Sequence, residues 1–399
     1  MHLNEIKLAR ETIKDIINKT PILYSPIFSK INNCSVYLKC ENLQITGAYK
    51  IRGALNKIRS LSDEEKSRGV VCSSAGNHAQ GVAYASTLLG VNSTIIMPKN
   101  TPYLKVQATK DFGGNVILHG TCYDDSFLKA KEIESTNNSI FIHPFNDISV
   151  IYGQGTIALE ILEEIDDVDV IICPIGGGGL ISGVALAAKS IKPDIKIIGV
   201  QADGANAMEQ SFKNHKLISL NSVNTIADGI AVKCPGQLTY NIIREYVDEI
   251  ITVSDKEIAE AFLILCEKHK LLAEASGAAS LTALKKLNLN NKKVISVISG
   301  GNIDMLTISS LISDGLVERG RLFCFSVELP DTPGQLQQIS SILSELDANV
   351  VQLEHNQFKA SNRLKNVLLE VTVETNGIEH IELIKSTFIE NGFKINQMY

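Results

Sequence analysis

The chain has 399 residues, of which 44% are hydrophobic and 21% are charged, and its formal net charge is −6. This length suggests two or three folded cores, and the composition is that of an ordinary globular protein. Lysines and arginines form no continuous basic block, so we expect neither nucleic acid nor an anionic membrane as a partner.

The termini and the cysteines bear on the compartment of the protein. The first twenty residues are charged throughout and lack the apolar core of a secretory signal, and no run is long and apolar enough for a membrane helix. The eight cysteines are scattered without a CxxC pair, and the eight histidines show no metal-ligand spacing. We therefore expect a cytoplasmic protein with reduced cysteines and no bound metal.

From residue 35 to residue 298, short runs rich in β-branched residues alternate with longer helical patterns. This alternation predicts an α/β fold in which helices cover both faces of a parallel sheet. The predicted strands lie at residues 35–39, 69–74, 93–98, 115–119, 139–143, 168–174, 195–200, 249–253 and 292–299. Several of them end in glycine, serine or proline, at the carboxyl ends where such folds bind ligands.

The first candidate for chemistry is Lys50, in the sequence TGAYKIRGA. Its neighbours are apolar or small, so we expect a buried lysine, and burial favours the neutral amine. A neutral lysine amine can form a Schiff base with an aldehyde cofactor and can remove a proton. Taken alone, a lysine beside a tyrosine is more often a surface charge.

Two later segments supply groups that such a cofactor needs. After strand 69–74, the amide of Asn77 can donate to a ring hydroxyl or cap a helix. After strand 168–174, four consecutive glycines can hold a phosphate with their backbone amides at the start of a helix; they are Gly176, Gly177, Gly178 and Gly179. Together with Lys50, these segments predict a pyridoxal phosphate site.

Ser299 ends the last predicted strand of this region and precedes Gly300, Gly301 and Asn302. Its hydroxyl can bond to a pyridine nitrogen, which would leave that nitrogen largely uncharged and favour β-elimination over transamination. The alternative is that Ser299 only caps the following helix.

The pattern changes after about residue 311. Strands are predicted at 322–329, 349–358, 366–373 and 393–397, with helices at 333–346 and 378–391. The order βαββαβ over roughly 80 residues predicts an α+β module of the ferredoxin-like type.

As a set, these motifs resemble the threonine ammonia-lyases (threonine dehydratases), which are pyridoxal phosphate enzymes of the tryptophan-synthase β-type fold, or fold type II. The resemblance extends over TGAYKIRGA, SSAGNHAQGVAYA, YGQGTIALEI, PIGGGGLISG, TIADGIAV and ISGGNID, and then over a module like the ACT regulatory domain. It implies a catalytic region at 1–315, with parallel sheets in two subdomains, the smaller of which, about 47–150, is inserted in the larger. The ACT-like domain is expected at 322–399.

The resemblance also implies roles for individual residues. Those implied to hold the cofactor are Lys50, Tyr49, Asn77, Gly176, Gly177, Gly178, Gly179 and Ser299. Those implied to receive the substrate carboxylate are Ser74, Gly76, Asn77 and His78. Those implied to contact an amino-acid effector are Pro333, Gly334 and Leu336. Lys50 is the implied catalytic base.

The implied reaction converts L-threonine to 2-oxobutanoate and ammonia, with conversion of L-serine to pyruvate as a side activity. The resemblance further implies a homotetramer that serves isoleucine biosynthesis and is regulated by isoleucine or valine. Whether the enzyme is biosynthetic or catabolic stays open, as does its preference between threonine and serine, because one methyl group is worth only about 1–3 kcal/mol in a pocket.

Three departures refine these expectations. Ala75 stands where related serine racemases have a second serine, so we expect poor racemisation. Gln201 and Ala207 stand where metal-dependent relatives have acidic ligands, which argues against bound Mg²⁺. Tyr49 and Ala48 replace the usual phenylalanine and serine. The alternatives are a serine dehydratase, a β-replacement enzyme such as a cysteine synthase, and a non-catalytic amino-acid sensor.

Overall fold

All nine strands predicted between residues 35 and 298 are present in the computed structural model, which describes residues 2–361 and 364–398. The chain divides into two units between Asp304 and Met305. This division comes earlier than the expected boundary near 315, because the helix that begins at Met305 packs on the first strand of the second unit.

The strands of the first unit are β1 (Ile22–Tyr24), β2 (Ser35–Cys40), β3 (Val70–Ser73), β4 (Ser93–Met97), β5 (Asn115–Leu118), β6 (Ile140–Phe141), β7 (Val170–Pro174), β8 (Lys196–Ala202), β9 (Glu249–Val253) and β10 (Lys293–Ile298). Its α-helices are α1 (His2–Ile13), α2 (Pro26–Asn32), α3 (Lys50–Arg59), α4 (Asp63–Ser67), α5 (Asn77–Leu88), α6 (Tyr103–Asp111), α7 (Tyr123–Asn137), α8 (Ile148–Glu164), α9 (Gly179–Ile191), α10 (Ala207–Lys213), α11 (Gln237–Tyr246), α12 (Asp255–Ile264) and α13 (Ala275–Thr282).

These strands form two sheets. The larger has the order β1-β2-β10-β7-β8-β9 and is parallel except for β1, which pairs antiparallel with β2. The smaller has the order β5-β4-β3-β6 and is wholly parallel, and its strands fall in sequence between β2 and β7. The predicted α/β fold with parallel sheets in two subdomains is confirmed.

A buried ionic network holds the helix that carries Lys50. Arg52, on α3, donates to Glu41 from Nε at 2.7 Å and to Glu160, on α8, from Nη1 at 2.6 Å. Lys39, on β2, reaches the same Glu160 at 2.5 Å. All four side chains are less than a tenth exposed, so removal of any one would leave the buried network with an uncompensated charge. The network therefore fixes α3 against both β2 and α8.

The second unit consists of α14 (Met305–Glu318), β11 (Leu322–Pro330), α15 (Gln335–Glu345), β12 (Asn349–Asn356), β13 (Asn366–Glu374), α16 (Ile378–Glu390) and β14 (Ile395–Gln397). Its antiparallel sheet has the order β12-β13-β11-β14, and the buried side chains of β11 and β13 pack on α15 and α16. After α14, the order is the predicted βαββαβ, so the ferredoxin-like module is confirmed.

Within residues 2–361 and 364–398, no helix is both long enough and apolar enough to cross a bilayer.

Candidate active site

Lys50 is the first residue of α3 and is partly buried. Its Nζ donates a hydrogen bond to the carbonyl oxygen of Pro144 at 2.9 Å and lies 5.2 Å from the centre of the Tyr49 ring. Burial lowers the pKa of Lys50 to about 8, although the nearby Glu274 carboxyl acts in the opposite direction. The amine is therefore much closer to neutrality at physiological pH than an exposed lysine.

The segment that leads into Lys50 is docked on the loop after β10. The amide of Tyr49 donates to the carbonyl oxygen of Ser299 at 3.1 Å, and Ala48 forms an isolated β-bridge with Gly300. Burial raises the pKa of the Tyr49 phenol, so it stays protonated. Ser299 is buried, and within the described residues its hydroxyl makes no hydrogen bond. That hydroxyl is therefore free for a ligand.

Asn77 begins α5, directly after the loop that follows β3. Its Nδ2 donates to Oε1 of Glu274 at 2.8 Å, and its Oδ1 accepts from Nδ2 of Asn302 at 2.8 Å. An amide nitrogen carries two hydrogens, so the side chain of Asn77 keeps one further donor. This donor is available for the predicted contact with a ring oxygen.

The loop of residues 74–78 presents backbone amides at the start of α5. The Ser74 hydroxyl accepts from the amide of Gly76 at 3.3 Å, whereas the amides of Ala75, Asn77 and His78 donate no hydrogen bond within the described part of the chain. Unpaired amides at a helix N-terminus suit a carboxylate. The loop therefore has the donors that the predicted substrate contact requires.

The ring of His78 is engaged elsewhere. It is buried, and its Nε2 lies 2.9 Å from the carbonyl oxygen of Ile142, which can only accept, so Nε2 carries the proton. Burial, with a smaller effect from the charge of Lys50, lowers the pKa of His78 to about 3. The ring is thus neutral, and the predicted contribution of His78 is confined to its backbone amide.

The four glycines connect β7 to α9. Gly178 has φ of +93°, a conformation that residues with a Cβ rarely adopt, and a Cβ on Gly177 would lie 2.3 Å from the ring of Phe145. Within the described residues, none of the four amides donates a hydrogen bond, and Gly179 is the first residue of α9. The turn therefore offers unpaired donors and the positive end of a helix dipole, which suit a phosphate dianion.

The structure joins these segments through direct contacts. Pro144, which binds Lys50, precedes Phe145, which packs on Gly177. On the other side, Glu274 connects to Asn77, and a Cβ on Gly300 would lie 2.8 Å from Glu274 Oε1. Lys50, Tyr49, the loop at 74–78, the glycine turn and Ser299 thus belong to one site.

Sequence reasoning missed several members of this site. Glu274 is a buried acid whose pKa burial raises to about 8, and its signal was a single carboxylate within the otherwise uncharged sequence LLAEASGAAS. The signal for Asn302 was its position directly after Gly300 and Gly301, at the carboxyl end of a predicted strand. Pro144 and Phe145 had no signal, because their roles depend on contacts with residues distant in the chain.

Buried hydroxyls without partners test whether a polar cofactor fits. Within the described residues, the hydroxyls of Thr46, Ser73 and Ser276 are buried and make no hydrogen bond. Thr46 adjoins the Lys50 segment, Ser73 precedes the loop at 74–78, and a Cβ on Gly229 would lie 2.6 Å from Ser276 Oγ. Buried polar groups normally have partners, and these three hydroxyls are available to a polar ligand. Together with the unpaired glycine amides, they fit pyridoxal phosphate.

Gln201 and Ala207 occupy the positions where metal-dependent relatives have acidic ligands. Gln201 is buried, donates to the carbonyl oxygen of Ile175 at 3.2 Å and accepts from the amide of Glu209 at 2.8 Å. Ala207 begins α10 and is buried. Neither side chain offers a carboxylate.

The predicted effector residues lie in the second unit, at the turn between β11 and α15. Pro333, Gly334 and Leu336 line one cavity of about 210 Å³, together with Asp331 and His355. The cavity combines apolar walls with polar groups.

Comparison with known proteins identifies the family of this chain. The family model described as pyridoxal-phosphate dependent enzyme matches residues 13–300. The L-threonine ammonia-lyase of Thermotoga maritima is 44% identical over 394 residues, with 98% of each chain covered. The L-threonine ammonia-lyase of Geobacter sulfurreducens is 42% identical over 393 residues, again with 98% of each chain covered.

A solved structure supports the same grouping. The processed form of threonine deaminase isoform 2 from Solanum lycopersicum superposes with a TM-score of 0.76 and 34% identity, and the match covers 78% of this chain and 86% of that one.

Proposed function

Since this chain belongs to the pyridoxal-phosphate dependent enzymes, and among them to the L-threonine ammonia-lyases, we propose that it converts L-threonine to 2-oxobutanoate and ammonia with Lys50 as its base. The observation that carries the proposal is the single site formed by three features. They are the partly buried amine of Lys50, the unpaired amides of the glycine turn and the side-chain amide of Asn77 with one free donor.

The residues proposed to hold the cofactor follow from their unpaired groups. Lys50 binds it covalently beside Tyr49, and the amides of Gly176, Gly177, Gly178 and Gly179 hold its phosphate. Asn77 donates to the ring oxygen, and Ser299 contacts the ring nitrogen. When bound, pyridoxal phosphate supplies a conjugated ring that accepts the electron pair released at the substrate Cα.

Lys50 is proposed to take the proton from Cα. Its lowered pKa of about 8 makes the neutral amine available near physiological pH, and the carbonyl of Pro144 orients that amine. The substrate carboxylate is held by the Ser74 hydroxyl and by the unpaired amides of Asn77 and His78, with Gly76, whose own amide donates to Ser74 Oγ, between them. This fixes Cα relative to the lysine.

Two features bear on specificity. Ala75 follows Ser74 in the substrate loop, and because it has no ionisable group it cannot deliver a proton to the opposite face of Cα; we therefore expect little racemisation. L-Serine lacks only the methyl group of threonine, so its conversion to pyruvate is a proposed side activity.

The direct experiment measures 2-oxobutanoate formation from L-threonine in the presence of pyridoxal phosphate, with the parent protein, Lys50→Ala and Lys57→Ala. Lys57 is a matched control on the same helix that pairs with Asp147. We expect a loss of at least about 10³-fold in kcat for Lys50→Ala and nearly full activity for Lys57→Ala. Absence of turnover in the parent would favour a β-replacement enzyme or a non-catalytic sensor.

We further propose that the second unit is an ACT-like regulatory domain that binds isoleucine or valine in the cavity at Pro333, Gly334 and Leu336, as expected of an enzyme of isoleucine biosynthesis. Two copies would pair at the edge strand β12, where Val350, Val351 and Leu353 are exposed. An exposed apolar edge strand favours pairing with another chain. Such pairing gives a dimer, and we propose that two such dimers assemble into a homotetramer.

The eight cysteines are all free, and no disulfide joins any two of them. This pattern suits a reducing compartment, and we place the enzyme in the cytoplasm.

A further inference from the structure

The side chain of Asn77 is held from both ends by residues of other elements. Asn302, in the loop after β10, lies at its Oδ1, and Glu274, directly before α13, lies at its Nδ2. Both distances are 2.8 Å. An asparagine amide that is anchored twice has one orientation instead of two.

A backbone carbonyl fixes the direction of this chain of hydrogen bonds. The carbonyl oxygen of Thr46 lies 2.7 Å from Asn302 Nδ2, and because a carbonyl can only accept, that atom must be the amide nitrogen. The same nitrogen also lies 3.1 Å from Gln80 Oε1. The Asn77 atom facing it must therefore be the oxygen.

The nitrogen of Asn77 then faces Glu274, which is itself rigidly placed. Glu274 is 6% exposed, its amide donates to the carbonyl oxygen of Gly300 at 3.0 Å, and its carbonyl accepts from the amide of Gly277 at 2.9 Å. Its carboxyl oxygen Oε1 accepts one hydrogen of the Asn77 amide. The second hydrogen has no partner within the described residues.

We propose that Glu274 and Asn302 are positioning residues that lock the Asn77 amide with its free N–H directed to the ring oxygen of the cofactor. This inference rests on the proposed function, in which Asn77 makes that contact. With either anchor removed, the amide can rotate and offer its oxygen to another oxygen, which would repel it. The anchors thus act on the cofactor through the orientation of the Asn77 amide.

The test compares the affinity of the apoprotein for pyridoxal phosphate, measured by equilibrium dialysis, and the visible absorbance band of the bound cofactor. Glu274→Gln keeps an accepting oxygen, whereas Glu274→Leu removes it. Asn302→Asp has the same shape as the parent side chain but lacks the donating nitrogen. Glu249→Leu, at the exposed start of β9, is the control for the change of glutamate to leucine.

We expect Glu274→Leu and Asn302→Asp each to weaken the affinity roughly 10-fold and to shift the absorbance band, because each removes a hydrogen bond to a buried group. Glu274→Gln should stay within about twofold of the parent, and so should Glu249→Leu. Circular dichroism checks that each variant is folded, and the two variants of unchanged shape keep the test valid if Glu274→Leu does not fold.

Two results would overturn the proposal. Equal weakening by Glu274→Gln and Glu274→Leu would mean that the charge or proton of the carboxyl matters, not its accepting oxygen. Unchanged affinity and absorbance in Asn302→Asp would mean that the amide needs no second anchor. If the parent protein binds the cofactor but does not deaminate L-threonine, the proposed reaction is wrong. The affinities of the variants would still decide whether Glu274 and Asn302 position Asn77.

Discussion

The environment of the Lys50 amine combines two opposing effects. Burial disfavours its ammonium form, while the nearby Glu274 carboxyl favours it. The outcome is a pKa of about 8 in place of 10.5. A lysine in this range is neutral often enough to react and is still able to carry a proton away.

The pH dependence of cofactor attachment follows from this pKa. Only the neutral amine attacks the aldehyde, so the rate at which apoprotein takes up pyridoxal phosphate should rise with pH and reach half its maximum near pH 8. Stopped-flow absorbance at a series of pH values measures that rate.

The reference for this experiment is a small exposed lysine derivative, which should reach half its maximum near its ordinary pKa of about 10.4. A protein profile that coincided with the reference would show that Lys50 is not shielded. The Glu274 carboxyl loses its proton in the same range, so its charge would raise the pKa of Lys50 and broaden the protein profile.

At the residue scale, the sequence predicted those site residues whose type and neighbouring sequence are informative on their own. Lys50 lies among apolar neighbours, and the four glycines follow a strand, so both were visible. Glu274 and Phe145 were not, because an isolated acid and an isolated aromatic residue gain meaning only from their partners. The sequence predicted that the Asn77 side chain donates a hydrogen bond. The residues that anchor this side chain could be identified only from the folded structure.

At the scale of secondary structure elements, α8 lies so close to its neighbours that glycine is required at the crossings. A Cβ on Gly153 would lie 2.5 Å from the carbonyl oxygen of Arg52, on α3, and a Cβ on Gly183, on α9, would lie 2.3 Å from the carbonyl oxygen of Ile151. These contacts are with backbone atoms, which cannot rotate away. The position of α3, and with it Lys50, depends on this close approach.

Gly153→Ala should therefore push α3 away from α8. We expect the free energy of unfolding to fall by about 3 kcal/mol and kcat to fall with it, because overpacking forces the backbone to move. Urea denaturation and the 2-oxobutanoate assay measure the two effects. Ser135→Ala, on the exposed face of α7, should change stability by less than about 0.5 kcal/mol. Equal stability of Gly153→Ala and Ser135→Ala would refute the close packing.

Hydrophobic patterns predicted most of the strands but missed one. The nine strands between residues 35 and 298 were visible because strands of a covered parallel sheet form nearly continuous apolar runs. This held even for β5 and β6, which are only partly buried. Strand β1 was missed, since Ile22–Tyr24 is only three residues long and is partly exposed at the sheet edge. Short edge strands depend on a neighbour more than on their own composition.

For the whole molecule, the two units are proposed to have different ligands. Isothermal titration of the full-length protein should show binding of isoleucine or valine, and Leu336→Glu should weaken it at least about 10-fold by placing a charge in the cavity. Leu383→Glu, on the exposed face of α16, is the matched control and should bind as the parent does. Absence of heat with both amino acids would remove the proposed regulation.

The central claim is that one lysine, Lys50, holds the cofactor. Borohydride reduction of the holoenzyme converts a lysine–cofactor bond to a stable form, and peptide mass spectrometry locates it. We predict one modified residue per chain, at Lys50, and no specific modification in Lys50→Ala. A modified lysine elsewhere in the parent, or a parent that binds pyridoxal phosphate without any covalent bond, would contradict the account.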